Sequence, residues 1–360
     1  MMFDISGIDT TGLIIAPGLV DIHVHFREPG FEYKEDIQSG SVAAAAGGFT
    51  TVCCMPNTSP VADNEDTIKS IIEKAKAVGI NVYPIGAVTI GQKGEKLTDF
   101  GKLKKAGAVA LSDDGMPITD DEIMRKALIA AEKAGMLIIS HCEEEEPMVE
   151  RDVKLAAETG ARIHIAHVST AAAVESIRKA KAAGVKVTAE TCPHYFSLTD
   201  EVVKQKGANA KMSPPLRTQN DVDAIIEGLC DGTIDAIATD HAPHSPEEKA
   251  LPFTDAPNGI IGLETSLALT LTYLYHTGKL TIEEIINLMS VNPAKILGIK
   301  NGSLEVGNAA DLVIFDPNEE WTVDSTKFKS KSRNTPFDGM KLKGKVKYTI
   351  SNGKVVYKEA

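Results

Sequence analysis

One recurring pattern limits the fold of this chain more than any other feature. A short β-branched run, a polar or glycine-containing junction and a stretch with helical spacing follow one another, and this unit repeats eight times. The candidate strands read LVDIHVHF, TTVCCMP, NVYPIGAV, AVALSDD, LIISHC, RIHIAHVS, KVTAETCPHY and IDAIATDHAPH. Eight such units are what a closed parallel barrel requires. The sequence therefore predicts an α/β fold, a (β/α)8 TIM-like barrel over residues 13–300.

The pattern changes after about residue 300. The segments NGSLEVGNAADLVIFDP and KGKVKYTISNGKVVYKEA consist of short strands separated by Gly and Asn turns, with no helical stretch between them. We predict that residues 301–360 form a small appended β-domain, sandwich-like in character, which the short N-terminus (residues 1–12) completes.

Composition argues against several classes of function. The net charge of −12 disfavours binding to nucleic acid, and an anionic substrate would need a local positive charge. No apolar run reaches about 18 residues and the N-terminus lacks the features of a secretory signal, so we expect a cytoplasmic protein without membrane contact. The five scattered cysteines suit reduced core thiols better than a zinc site. The acidic run at 143–146 is interpreted as a solvated loop or helix start without function.

Metal-capable side chains stand where the candidate strands end. His23 and His25 are two residues apart on the first strand, so the alternation of a strand points both to the same face. The fourth strand ends in Asp113 and Asp114, the fifth in His141 and the sixth in His167. The eighth strand ends in Asp240, His241 and His244. Because barrel enzymes carry out catalysis at the C-terminal ends of their strands, we expect these side chains to converge on one rim.

Each of these residues has an ordinary structural interpretation, since an aspartate at a strand end commonly caps a helix and a lone histidine is commonly a hydrogen-bonded core residue. Together, so many buried ionisable groups would carry a large desolvation cost without a cation. Imidazole and carboxylate without thiolate favour Zn²⁺, with Mn²⁺ or Co²⁺ as substitutes, and the ligand number suggests two ions sharing one carboxylate. Periodicity leaves the choice between Asp113 and Asp114 open, and it assigns His164 and His194 to packing or to the support of a ligand.

Five motifs carry a family resemblance. DIHVHFREPG, MPNTSP, SDDG, TDHAPH and GIIGLET together resemble the dihydroorotases of the amidohydrolase superfamily, from about residue 13 to the C-terminus. The hydantoinase and dihydropyrimidinase branch usually bridges its metals with a carboxylated lysine on the fourth strand. This chain has SDDG at that place and no lysine, which resembles the branch that uses an aspartate.

The resemblance implies a role for each matching residue. It places His23, His25 and Asp240 on one zinc, His141 and His167 on a second, and Asp114 between the two. It implies that the substrate is contacted by Arg27, Asn57, Ser213, His244, Pro257 and Gly259. For Arg27 the alternative is a surface ion pair with Glu28 or Glu32.

The implied activity is the reversible hydrolysis of (S)-dihydroorotate to N-carbamoyl-L-aspartate in pyrimidine biosynthesis, with metal-activated water as the nucleophile. Asp240 would act as general base and then as general acid. The alternatives are another cyclic amidohydrolase, of the allantoinase or hydantoinase kind, and a non-catalytic scaffold homologue. For partners we expect a small-molecule substrate, a second copy of the chain in a homodimer, and association with aspartate carbamoyltransferase.

Three departures from the family pattern stand out. The segment from His141 to His167 is shorter than the family pattern by roughly two dozen residues, a difference that we place in a loop. The N-terminal β-segment is also short. Ser213 stands where the family often has asparagine, and its shorter side chain would weaken or redirect a hydrogen bond to the substrate.

Overall fold

A computed structural model describes residues 9–305 and 307–359 of the chain. The strands are β1 Ile14–Pro17, β2 Leu19–Val24, β3 Phe49–Cys54, β4 Asn81–Pro84, β5 Leu111–Ser112, β6 Ile138–Ser140, β7 Ile163–Ile165, β8 Val187–Thr191, β9 Ala236–Ile237, β10 Leu312–Thr322, β11 Lys341–Ser351 and β12 Lys354–Lys358.

The helices alternate with the barrel strands and continue beyond them. They are α1 Ile37–Ala46, α2 Glu65–Ala75, α3 Phe100–Ala106, α4 Asp121–Ala134, α5 Glu145–Thr159, α6 Ala171–Ala182, α7 Pro193–Ser197, α8 Val203–Lys206, α9 Gln219–Cys230, α10 Pro246–Lys249, α11 Ser266–Thr270, α12 Ile282–Ile286 and α13 Asn292–Leu297. Wider π turns extend α11 over Leu271–Tyr275 and join α12 to α13 over Asn287–Val291. None of the described helices combines the length and the apolar character that a membrane span requires.

Strands β2 to β9 form the predicted barrel. They run parallel in two hydrogen-bonded groups, β2-β3-β4 and β5-β6-β7-β8-β9. Parallel bridges join the groups on both sides, between Gly86 and Leu111 and between Val24 and His241. Seven of the eight strands lie within the predicted runs and β3 begins one residue before its run, at Phe49, so the barrel is confirmed. Strands β2 and β3 are buried throughout, as expected where helices cover the outside and side chains fill the inside.

Local sequence signals set the limits of the surrounding helices. The side chains of Asn64, Asp120 and Thr170 accept hydrogen bonds from the first-turn N–H groups of α2, α4 and α6. Gly135 and Gly160 follow α4 and α5 with positive φ, a conformation that glycine adopts without a steric cost. These signals fix where the helices begin and end, while the parallel direction of the strands brings their carboxyl ends to one face of the barrel.

The remaining strands form one antiparallel sheet in the order β1-β10-β11-β12. Its first strand pairs Ile14 with Phe315, so a segment from within 13–300 contributes to this sheet. The N-terminal part predicted to complete it was residues 1–12, of which residues 1–8 lie outside the described residues. The appended β-structure agrees with the predicted fold class, whereas the division into two domains stays a prediction.

Candidate active site

The carboxyl ends of the barrel strands surround a cavity of about 190 Å³. Its walls include most of the side chains that the sequence singled out, and they also include Glu143. The lining residues are His25, Arg27, Asn57, Asp114, Gly115, His141, Glu143, His167, Ser213, Asp240, Ala242, His244, Asn258 and Gly259. The convergence predicted from strand ends is therefore present in the structure.

Asp114 lies at the centre of the histidine cluster. Its Oδ1 is 3.2 Å from His23 Nε2, 3.2 Å from His141 Nδ1 and 3.5 Å from His167 Nε2. Its Oδ2 is 3.3 Å from His25 Nε2. These distances define two groups of three close ligand atoms. One group comes from His23, His25 and Asp114, and the other from His141, His167 and Asp114. This arrangement suits a carboxylate shared by two cations.

Asp240 closes the cluster from the last barrel strand. Its Oδ1 is 3.0 Å from His25 Nε2 and 3.5 Å from His23 Nε2. Burial by itself would raise the pKa of Asp240, but the neighbouring histidines outweigh burial and hold the pKa below its ordinary value. Asp240, His167 and Arg27 all have positive φ, of 48°, 35° and 61°. Such strained backbone in three neighbouring non-glycine residues is typical of functional sites.

The structure shows which of Asp113 and Asp114 faces the cavity, a choice that sequence periodicity left open. Asp113 points away from the histidines and accepts hydrogen bonds from the backbone N–H groups of Val88 and Thr89 and from the Thr89 hydroxyl. Burial raises the pKa of Asp113 to about 6. Its contacts are those of a residue that anchors a loop, and Asp114 is the one that faces the cavity.

The cluster fits a metal centre in its own right. His23 Nε2 and Asp114 Oδ1 are buried and have no hydrogen-bond partner, a costly condition that a cation would relieve. The ring atoms His141 Nδ1 and His167 Nε2 lie 2.7 Å apart and both face Asp114. Imidazole and carboxylate donors without thiolate form a ligand set typical of zinc and related divalent ions.

Glu190, which sequence reasoning missed, supports the cluster from behind. It is fully buried on β8, and its Oε1 accepts a 2.7 Å hydrogen bond from His23 Nδ1. Its Oε2 is 3.3 Å from Nε2 of His164, whose Nδ1 meets the Thr188 hydroxyl at 2.8 Å. Burial opposes ionisation of Glu190, but these histidines lower its pKa to about 2. The sequence did contain a signal for this role, since Glu190 is an ionisable residue inside the predicted barrel strand KVTAET.

Arg27 extends into the cavity without an acidic partner. Its Nε donates to the Pro243 carbonyl at 3.2 Å and its Nη2 is 3.3 Å from His244 Nε2. No carboxylate oxygen of the described residues lies within 4 Å of the guanidinium. Of the two glutamates considered as partners, Glu28 pairs with Lys74 and Glu32 accepts from the backbone N–H of Gly30. Burial lowers the pKa of Arg27, yet an arginine remains protonated. A half-buried cation without an ion pair, facing a cavity, is a ready partner for an anionic ligand.

The other predicted substrate contacts divide into two groups. Ser213, His244 and Gly259 line the cavity, and so does Asn57, whose Oδ1 lies 2.9 Å from His25 Nδ1. Pro257 is not among the residues that line the cavity, and its carbonyl accepts a hydrogen bond from Lys249 at 2.9 Å. Its neighbour, Asn258, takes the expected place.

Two further interpretations can be compared with the structure. His194 is buried with its ring 4.2 Å from that of Tyr195, and burial lowers its pKa to about 3. The acidic run was interpreted as a solvated loop or helix start. Helix α5 does begin in it, at Glu145, but the Glu145 carboxylate is buried rather than solvated and accepts from the N–H groups of Ser169 and Thr170, just before α6. These N–H groups would otherwise be buried without an acceptor, which explains why a glutamate is buried there.

A barrel that gathers four histidines and two aspartates around a cavity is the architecture of a metal-centred hydrolytic enzyme. Comparison with known families agrees, since the model described as "Amidohydrolase family" matches residues 14–356. The chain belongs to the amidohydrolase family.

Within that family the similar curated proteins are dihydroorotases. The chain is 54% identical to the dihydroorotase of Acetivibrio thermocellus, across 97% of this chain and 88% of that protein. It is 53% identical to the one from Ruminiclostridium cellulolyticum, across 98% of this chain and 89% of that protein. The first alignment spans 376 positions, so that relative carries residues that this 360-residue chain lacks.

Solved structures of the same fold carry other names. The L-hydantoinase (dihydropyrimidinase) from Arthrobacter aurescens superimposes with a TM-score of 0.88 at 28% identity, covering 99% of this chain and 89% of that one. The dihydropyrimidinase from Brevibacillus agri gives a TM-score of 0.86 at 26% identity, covering 98% and 86%. These likenesses support the barrel with its appended β-structure.

Proposed function

We propose that this chain is a zinc-dependent dihydroorotase, which interconverts (S)-dihydroorotate and N-carbamoyl-L-aspartate. One observation carries the proposal: a cavity that joins the His and Asp cluster to the unpaired guanidinium of Arg27, in a chain that is 54% identical to a named dihydroorotase. The cluster suits hydrolysis of a ring amide, and the arginine suits the carboxylate that dihydroorotate carries on its ring.

The ligands divide between two zinc ions in this proposal. His23, His25 and Asp240 would hold one, His141 and His167 would hold the other, and Asp114 would contribute to both. The two groups of close ligand atoms, His23 with His25 and Asp114, and His141 with His167 and Asp114, support this division. When bound, such ions make water a stronger nucleophile at neutral pH and polarise the carbonyl under attack. Glu190 holds the His23 ring with Nδ1 protonated, which leaves Nε2 free to bind a cation.

Asp240 is the residue that moves the proton. Its carboxylate lines the cavity and its low pKa keeps it ionised at neutral pH. During hydrolysis it takes a proton from the attacking water as the C–O bond forms, and it passes that proton to the ring nitrogen as the C–N bond breaks. The reverse reaction uses the same carboxylate in the opposite order.

Arg27 and its neighbours orient the substrate. The planar guanidinium matches a carboxylate with two parallel hydrogen bonds. Burial and the charges of Arg27, Lys34 and Lys249 lower the pKa of His244 to about 3, so His244 contributes a neutral ring. Its Nε2 lies 2.8 Å from the Asn258 carbonyl, which keeps the ring at the cavity wall. Asn57, Ser213 and Gly259 complete the substrate contacts.

The competing function is that of a hydantoinase or allantoinase. The similar solved structures named above are a hydantoinase and a dihydropyrimidinase, which is the observation in favour of this alternative. A hydantoin or dihydropyrimidine ring needs no carboxylate partner, so the unpaired Arg27 would have no role. A scaffold homologue without activity is a third possibility. It would not need the complete ligand cluster that this chain has.

Turnover with matched variants tests the proposal. Purified protein is assayed for cyclisation of N-carbamoyl-L-aspartate with and without added Zn²⁺, beside hydantoin and allantoin. Arg27→Met removes two charge-assisted hydrogen bonds and should lower kcat/KM by roughly 10²- to 10³-fold. Arg125→Met, which changes a surface arginine paired with Glu122 and Glu158, is the control and should retain activity. Near-normal turnover by Arg27→Met, or preference for hydantoin, would refute the assignment.

The family resemblance also supports a homodimer, association with aspartate carbamoyltransferase and a cytoplasmic location as further proposals. Sedimentation of the purified protein, alone and mixed with aspartate carbamoyltransferase, tests the first two. A single species with the mass of one chain would contradict the homodimer. Unchanged sedimentation of the mixture would contradict the association.

A further inference from the structure

A second cavity lies beside the catalytic one, with His244 in the wall of both. It measures about 280 Å³, and we call it the outer cavity. Lys249, Arg333 and Asn209 contribute to its walls, together with Ser245. Nothing in the proposed reaction uses this space.

The outer cavity is lined without a single carboxylate. Its walls hold a lysine, an arginine and a histidine, in a chain whose net charge is −12. Lys249 and Arg333 each lack an ion pair within 4 Å among residues 9–305 and 307–359, although most arginines of the described chain have one. Two cations without an ion pair therefore line the same open cavity, which is an environment that attracts anions.

Lys249 is partly buried and has donor capacity left. Its Nζ donates to the carbonyls of Pro257 and Gly259, each at 2.9 Å, and an ammonium has three N–H groups. Burial lowers its pKa to about 8, and the charge of Lys211 adds to the effect. A negative charge in the outer cavity would favour the protonated form of this lysine.

Arg333 is held in place while part of its guanidinium is free. Its Nη1 donates to the carbonyls of Ser330 and Ser332. The next residue, Asn334, is buried and donates to the carbonyls of Ala242 and Gly259 at 3.0 Å each. Nε and Nη2 of Arg333 have no acceptor among the described residues, so a pre-positioned pair of donors remains for a ligand.

We propose that the outer cavity is a binding site for a small oxyanion, a carboxylate or a phosphate group, held by Arg333 and Lys249 with Asn209 and Ser245 as neutral partners. Oxyanions accept several hydrogen bonds at once, and charge-assisted bonds to arginine and lysine are the strong ones. The volume exceeds that of one such group, so the ligand can be a larger molecule that presents the anion to these residues. The outer cavity shares His244 with the substrate site, but the four residues that would hold the anion are not among the proposed substrate contacts, and the proposal does not depend on the reaction assigned above.

Calorimetric titration of the zinc-loaded full chain tests this site with two probes. Sulfate has the tetrahedral shape of a phosphate group, and malonate is a dicarboxylate, so the two distinguish the possible sources of the anion. Arg333→Gln removes one of the two cations. Asn209→Leu replaces a polar wall residue by a larger apolar one and leaves the backbone contacts of Arg333 intact. Lys327→Gln changes an exposed lysine by the same charge and is the control.

The wild type and Lys327→Gln should bind sulfate or malonate, and the two proteins should have equal affinity for that probe. Both Arg333→Gln and Asn209→Leu should lower this affinity by about tenfold or more. Arg27→Met, which changes the catalytic cavity, should leave this binding intact. Binding of neither probe by the wild type at millimolar concentration overturns the proposal. So does binding that Asn209→Leu retains, or binding that only Arg27→Met abolishes, since the anion then lies elsewhere.

Discussion

Replacing Glu190 by glutamine should weaken zinc binding although Glu190 itself contacts no metal. The 2.7 Å hydrogen bond from His23 Nδ1 to its carboxylate is buried, and the carboxylate is ionised because its pKa is about 2. A hydrogen bond to a charged group is worth about 1.5–3 kcal/mol, against about 0.5–1.5 kcal/mol for a neutral one. The glutamine oxygen can still accept, so the net loss is about 1–2 kcal/mol.

That loss corresponds to a zinc dissociation constant about five- to thirtyfold higher, since about 1.4 kcal/mol is a factor of ten. The value lies at the lower end of the range found when a group behind a ligating histidine is changed. The amide nitrogen of the new side chain can donate to His164, which limits structural damage. Affinity is measured by competition against a chromophoric zinc chelator, with circular dichroism as a check on folding.

Glu145→Gln is the matched control. Glu145 is also a buried glutamate that accepts several hydrogen bonds, but its partners are the N–H and hydroxyl groups of Ser169 and Thr170 and, at 3.6 Å, Arg217, and no histidine. It should change the free energy of unfolding and leave zinc affinity near the wild-type value. Zinc affinity of Glu190→Gln within twofold of the wild type would refute the reasoning, and Glu190 would then serve only the packing of the barrel.

Three further outcomes are expected. Asp114→Asn should remove most of both metal ions, measured as metal content after dialysis, and full retention of one ion would contradict a shared carboxylate. Glu145→Ala should lower the free energy of unfolding in urea by about 2–3 kcal/mol, because two buried N–H groups lose their acceptor. Burial raises the pKa of Glu264 to about 7 from 4.5, so between these pH values the folded protein holds a proton that the unfolded chain has released. Wild-type stability relative to Glu264→Gln should therefore fall by about 3 kcal/mol from pH 4.5 to pH 8, and a difference independent of pH would contradict it.

The amino-acid sequence by itself determined the barrel and the convergence of histidines and aspartates on its rim. The repeated strand and helix periods predict eight parallel strands, and the alternation at His23 and His25 places both rings on one face. The ends of parallel strands must meet at one face of a closed barrel, so His141, His167 and Asp240 could be placed beside them without coordinates.

Only the tertiary structure decided which neighbouring side chains face the cavity and what lies behind them. At the end of β5 the chain leaves strand geometry, so period alone could not separate Asp113 from Asp114, and the structure turns the first toward Thr89. Glu190 and the walls of the outer cavity depend on contacts between segments far apart in the chain, such as the pairing of His23 with Glu190 across 167 positions. Sequence periodicity carries information about a residue's own strand or helix, whereas partners of this kind are set by how separate elements pack.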